Sequence, residues 1–203
     1  SAGCGHSEHT VLIEGEKVHR IMRELALHIL DIVTNSIEAQ ANRIIIAVDE
    51  SVRDNRLRIR IKDNGRGMSQ ELIDRVLDPF VTTRTTRPVG MGLSLLLQAA
   101  ADCEGGLKIS STLGRGTLVD VHFKLNSLNR MPLGEIGATL SNLCIASPDI
   151  HFYYRHVTDN GRFVFDSFWL LGQMASRNCM LYTLAGESEQ MIREGVLAIS
   201  SVA

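Results

Sequence analysis

Residues 57–68 read Leu-Arg-Ile-Arg-Ile-Lys-Asp-Asn-Gly-Arg-Gly-Met, and two signals follow one another in them. Leu57, Ile59 and Ile61 alternate with Arg58, Arg60 and Lys62, the period of two that marks a strand buried on one face only. Asp63-Asn64-Gly65-Arg66-Gly67-Met68 then breaks the pattern with a turn in which Asn and Gly supply left-handed backbone. Read upstream, Ser51–Asn55 is a polar turn and Arg43–Val48 a β-branched run, so 43–62 forms an antiparallel hairpin. Further upstream, Val18, Ile21, Met22, Leu25, Ile29, Ile32, Val33 and Ile37 recur at helical spacing, predicting a long amphipathic helix over Lys17–Ala41. Downstream come a short helix (Gln70–Leu77) and a Thr-rich loop (Val81–Pro88). A Leu/Ala-rich helix from Gly90 to about Glu104 leads to two strands (Leu107–Ser111 and Thr117–Leu125) joined at Gly114-Arg115-Gly116. This element order predicts an α+β fold, a two-layer α/β sandwich with helices stacked on one face of the sheet.

After Asn126 the pattern changes. Pro132 suits a helix N1 position before Leu133–Cys144. Ile150–Val157 and Arg162–Phe165 flank the turn signal Thr158-Asp159-Asn160-Gly161, and Ser188 suits the cap of a helix over Glu189–Ser200. The expected organisation is a flexible segment at 1–16, a main domain at 17–126 and a small α+β unit of its own at 127–203.

Apolar residues are 44% and charged residues 22% of the 203, which excludes disordered and collagen-like classes. No apolar run reaches the roughly 18 residues of a membrane helix, and Ser1–Thr10 lacks a signal-peptide core. The net charge of −2 offers no electrostatic case for nucleic acid or anionic lipid. Cys4, Cys103, Cys144 and Cys179 form no CxxC pair, so a reducing, cytoplasmic location is expected. Cys4, His6 and His9 belong to the flexible end, and His122, His151 and His156 read as ordinary strand residues.

Four groups of residues carry chemistry. On the long helix, Glu24, His28, Asp31, Asn35 and Glu38 share one face, which is also what a solvated stripe would look like. Asp31 differs from that plain reading because Leu27, Ile29, Leu30, Ile32 and Val33 surround it, and desolvation is the condition for a tuned base. Asn35, one turn on, offers a neutral oxygen that suits Mg²⁺. Asp63 can accept from an amine on a buried ligand, while Gly65 and Gly67 allow close backbone approach beside Met68. Gly90-Met91-Gly92-Leu93 opens a helix whose free amides make an anion site, with Arg84 and Arg87 in the loop before it. Gly114-Arg115-Gly116-Thr117 is a hairpin turn first and a ligand contact second. No GxxxxGK[ST] or GxGxxG sequence is present.

In order and spacing, these blocks resemble the nucleotide-binding motifs of the GHKL superfamily (gyrase B, heat-shock chaperone, histidine kinase, MutL) over about Leu25–Leu125. Leu30–Ala39 resembles the N box, with Asn35 at the Mg²⁺-binding position, and Asp63–Gly67 resembles the adenine box. Asp78-Pro79-Phe80 resembles the kinase F box. Gly90 and Gly92 resemble the second glycine box, and Thr117 the threonine supporting the adenine end. The resemblance implies the Bergerat, histidine-kinase-like ATPase fold, ATP and Mg²⁺ as cofactors, and Val81–Val89 as a lid. Asp31 stands where related ATPases carry Glu and where histidine kinases usually carry Asn. Residues 1–16 are too few for a two-helix phosphoacceptor segment, so the expectation is a stand-alone protein. Leu27–Asn35, Pro79–Arg87 and Asn129–Gly134 resemble such proteins of anaerobic bacteria. The implied function is Mg²⁺-dependent ATP binding with slow hydrolysis, working as a switch on a partner protein. The alternatives are a stand-alone protein kinase, histidine-kinase-like or of the anti-sigma-factor serine type, and a non-catalytic ATP sensor. A protein partner or phosphoacceptor is expected, compatibly with a homodimer, and neither nucleic acid nor membrane.

Overall fold

A computed structural model describes residues 24–77, 91–175 and 181–200. The elements in chain order are α1 (Leu25–Glu38), β1 (Arg43–Ser51), β2 (Arg56–Asp63), α2 (Gln70–Leu77), α3 (Met91–Ala101), β3 (Gly106–Thr112), β4 (Gly116–Lys124), α4 (Ile136–Ala146), β5 (His151–Thr158), β6 (Gly161–Asp166), α5 (Ser167–Ala175) and α6 (Leu181–Ile199). The six strands form one sheet in the order β3-β4-β2-β1-β5-β6.

The alternation in residues 57–62 determines which side of that sheet is dry. Ile59 lies beside Val48 and Val121, and Ile61 beside Ile46 and Val119. The rows continue into β5, where Val48 meets His156, Ile46 meets Tyr154 and Ile44 meets Phe152. Ile29, Ile32 and Val33 of α1, Leu96 and Ala100 of α3, Leu140 of α4 and Ile192 of α6 complete the core against these rows. Each fully buried side chain of this size is worth about 1.5–3 kcal/mol. The α+β class and the sandwich of helices on a sheet are therefore present.

Residues after 126 do fold as helices and strands, but they are not set apart. β5 runs parallel to β1 from Arg43↔His151 to Asp49↔Val157, and β6 pairs with β5. A parallel neighbour needs a long crossover, which residues 125–150 supply with α4. Without β5, the apolar run Ile44–Val48 would stand at a sheet edge. His156, read from the sequence as an ordinary strand residue, is 1% exposed. Its Nδ1 lies 2.9 Å from Tyr154 Oη and its Nε2 3.1 Å from Glu50 Oε1. That hydrogen bond holds the Glu50 carboxyl below its ordinary range, with burial opposing.

Helix boundaries differ from the expectation where tertiary contacts decide them. Residues 17–23 of the expected first helix lie outside the described residues. The first described helical turn begins at Leu25, whose N–H donates to Pro132 O (3.0 Å), while Ala26 N–H donates to Leu133 O (2.8 Å). Pro132 and Leu133 are therefore an extended strap rather than the start of α4. α1 stops at Glu38 because Gln40 turns left-handed (φ +61°). Ser188 is inside α6, not at its cap, and its hydroxyl lies 2.8 Å from that of Ser141. α5 was not expected. Its signal is Asp166, whose Oδ1 accepts from the N–H groups of Phe168 (3.0 Å) and Trp169 (3.1 Å), as an N-cap does. Among the described residues, no helix is long and apolar enough to cross a membrane.

Candidate functional site

α1 crosses the dry face so that the row Glu24–Glu38 is not the solvated stripe its spacing allowed. His28 is 3% exposed, and Glu24 Oε2 accepts from Glu135 N–H at 3.3 Å. Asp31 and Asn35 are half-buried, and only Glu38 reaches open solvent. Burial raises the Asp31 carboxyl above its ordinary value, and the nearby charge of Glu38 adds to the rise. A hydrogen bond from the Asn35 side chain opposes both. An ionised carboxylate only accepts, so the Asn35 amide nitrogen is the donor and its carbonyl oxygen stays available to a cation.

Gly92, in the first turn of α3, faces this pair. A Cβ there would lie 1.7 Å from Asp31 Oδ2, so α3 approaches α1 closely only because residue 92 has no side chain. Leu93 beside it is buried. The first-turn amides of a helix have no intrahelical partner, and here that end lies against Asp31. Asp31, Asn35 and Gly92 are thus brought together, although 61 positions separate Asp31 from Gly92.

Asp63, 7% exposed, closes β2. Its Oδ1 accepts from Gly65 N–H (2.8 Å) and Thr117 N–H (3.2 Å), and its Oδ2 from the Ser36 hydroxyl (3.1 Å). A carboxylate has about four lone-pair sites. Three are taken, and one acceptor position remains. The β3–β4 hairpin is drawn onto this corner. Met68 N–H donates to Ser111 Oγ (2.8 Å), which lies 2.9 Å from Thr117 Oγ1, and Gly114 N–H donates to Arg66 O (2.8 Å). Gly65 packs on the Ala39 carbonyl and left-handed Gly67 (φ +68°) on that of Thr112. Ser36 adjoins Asn35 in α1, so its bond to Asp63 ties the two halves of the site.

Ser36 and Ser111 were missed. Ser36 had a signal, since it continues the buried stripe of Ile29, Ile32 and Val33, where a hydroxyl needs a polar partner. Nothing marks Ser111. Arg84, Arg87, Gly90, the Asp78–Phe80 motif and the expected lid lie outside the described residues, as does the side chain of Met91. No group of three His, Cys, Asp or Glu poised for a metal occurs among the described residues.

The corner makes its own demand on Gly116. Its φ is +100°, and a Cβ would stand 2.1 Å from the Asp63 carbonyl oxygen. Gly116→Ala is expected to cost about 2 kcal/mol or more in urea denaturation, from strain and the displaced strand end together. An unchanged midpoint would show that the hairpin does not need this approach.

Residues 16–127, more than half of the chain, match the family described as histidine kinase-, DNA gyrase B-, and HSP90-like ATPase. Sporulation kinase C of Bacillus subtilis is 31% identical over 98 residues, covering 48% of this chain and 23% of that protein. The phosphoglycerate transport system sensor protein PgtB of Salmonella typhimurium is 30% identical over 122 residues, covering 59% of this chain and 17% of that protein. The chain thus spans less than a quarter of the length of either relative. Among solved structures, the N-terminal domain of a DNA repair protein superposes with a TM-score of 0.51 at 20% identity, covering 72% of this chain and 54% of that one. That likeness concerns the fold.

Proposed function

Because the chain belongs to the histidine kinase-, DNA gyrase B-, and HSP90-like ATPase family, we propose that it binds Mg²⁺–ATP between α1, α3 and the β2–β4 corner and hydrolyses it slowly, as a switch on a partner protein. The observation that carries this reading is that Asp31, Asn35 and Gly92 meet along the second half of α1, while Asp63, Gly65 and Thr117 meet at its C-terminal end, joined to it through Ser36. Asp63 would offer its remaining lone pair to the adenine amine, with Gly65, Gly67, Met68 and Thr117 framing the base. Gly92, Leu93 and the α3 amides would face the phosphates, together with Gly90, Met91, Arg84 and Arg87. Asn35 would hold Mg²⁺, which neutralises phosphate charge when bound. Asp31 would orient and deprotonate the attacking water.

Asn35→Ala tests the cation site. It is expected to abolish the gain in ATP affinity that Mg²⁺ brings while metal-free ATP binding and the melting curve stay near those of the parent. Equal Mg²⁺ dependence in calorimetry would remove Asn35 from the site. A second reading, transfer of phosphate to a protein acceptor, is favoured by the sensor and kinase names of the relatives. Labelled ATP separates the two: free phosphate supports the switch, and label on a protein side chain supports the kinase.

A further inference from the structure

Among the described residues, the sheet face opposite the buried row Leu57, Ile59 and Ile61 holds a charge that the chain's total hides. Along β2, Arg56, Arg58, Arg60 and Lys62 all point to this side, opposite Leu57, Ile59 and Ile61. Pairing brings Lys108 of β3, beside Asp120, and Arg155 of β5 onto the same face. Two carboxylates, Asp49 and Asp120, stand among these six cations, on a chain whose net charge is −2. Asp120 holds Arg58 by two contacts (2.8 and 2.5 Å), and Asp49 is shared by Arg60 (2.8 Å) and Arg155 (2.7 Å). Arg56, Lys62 and Lys108 are exposed and form no ion pair with another described residue. Arg56, Arg58, Lys108, Asp120 and His122 line a shallow concavity at the β3–β4–β2 end.

We propose that this open sheet face docks an acidic, extended segment of a protein partner, whose carboxylates pair with Arg56, Arg58 and Lys108. The spacing supports that occupant. Cationic side chains at every second position of β2 repeat at about 6.6 Å, the interval at which an extended peptide presents every second side chain on one side. The embedded Asp49 and Asp120 disfavour a polyphosphate or anionic lipid surface, whose dense charge would meet them head-on. A protein segment places neutral residues between its carboxylates and avoids that repulsion. Arg58 arrives already oriented by Asp120, which lowers the ordering cost of binding. The surface lies across the sheet from Asp31 and Asp63, so the inference does not depend on the nucleotide reading.

The test uses the full chain and a fluorescent peptide of alternating Glu and Thr, with a DNA oligonucleotide and phosphatidylserine vesicles as competing arms. Binding to the peptide at low salt, weakened at high salt, is expected. Arg56→Glu and Lys108→Glu should each weaken it at least about tenfold. Arg75→Glu, the same charge change on exposed α2, should leave it within about twofold. Circular dichroism of each variant checks that the fold is intact, and Arg56→Gln and Lys108→Gln replace any reversal that fails to fold. The proposal is overturned by absence of peptide binding, by equal loss in the Arg75 variant, or by tighter binding to DNA or vesicles.

Discussion

Asp31→Asn is expected to slow phosphate release by about 10²–10⁴-fold while ATP affinity stays within a few-fold of the parent. The substitution keeps the shape and the contact with Asn35 but removes the basic lone pair that would take a proton from water. The pH profile gives the sharper readout. Burial and Glu38 raise the Asp31 carboxyl, so its proton persists to higher pH than an ordinary carboxyl's. Hydrolysis by the parent should therefore rise with pH through that raised pKa and fall below it, where the base is protonated. In Asp31→Asn that limb should be missing. Gly92→Ala should reproduce the loss with the carboxylate chemically intact, because its Cβ would lie 1.7 Å from Asp31 Oδ2 and force the side chain aside. A parent protein that releases no phosphate and labels no protein in any partner's presence would end the catalytic reading of Asp31. Unaltered turnover in both variants would place the base elsewhere.

Asp63→Asn is expected to weaken ATP binding by about 1.5–3 kcal/mol, roughly 10–150-fold, with a much smaller effect on GTP. Three donors converge on this carboxylate: two backbone amides on Oδ1 and the Ser36 hydroxyl on Oδ2. The amides cannot move without moving Gly65 and Thr117, so the side-chain carbonyl of an Asn should take the Oδ1 place and its nitrogen the Oδ2 place. Ser36 can adapt, because its hydroxyl also reaches Ile32 O at 3.1 Å and can donate there while accepting from the new amide. The fold should therefore survive. An arriving adenine amine would meet a donor instead of an acceptor, and guanine presents no such amine. Calorimetry showing equal ATP affinity in parent and variant would remove Asp63 from the binding site.

Much of this protein was legible locally. Residues 57–62 state by their alternation which side of that strand is buried, residues 44–48 are apolar throughout, and the hairpin needs only the short turn between them. The glycines at 65, 67, 92 and 116 read as special positions, but that Ala39, Thr112, Asp31 and Asp63 are what approach them is a tertiary fact. The motifs around Asp31, Asn35, Asp63 and Thr117 identified the family before any contact was known. What the sequence could not decide is where a partner lies far along the chain. The alternation of Phe152, Tyr154, His156 and Thr158 shows that β5 needs cover, yet nothing local says that it lies beside β1 in the same sheet. Helix α1 begins where Pro132 and Leu133 accept its first amides, more than a hundred residues away. His156 and Ser36 are buried because distant Glu50 and Asp63 receive their hydrogen bonds. The net charge of −2 is a sum over the chain, whereas the basic face exists only because three strands from separate parts of the chain turn their arginines and lysines to one side. Periodicity tells a residue that it will be covered or left open; only non-local pairing, which has to offset the entropy of closing long loops, decides by what.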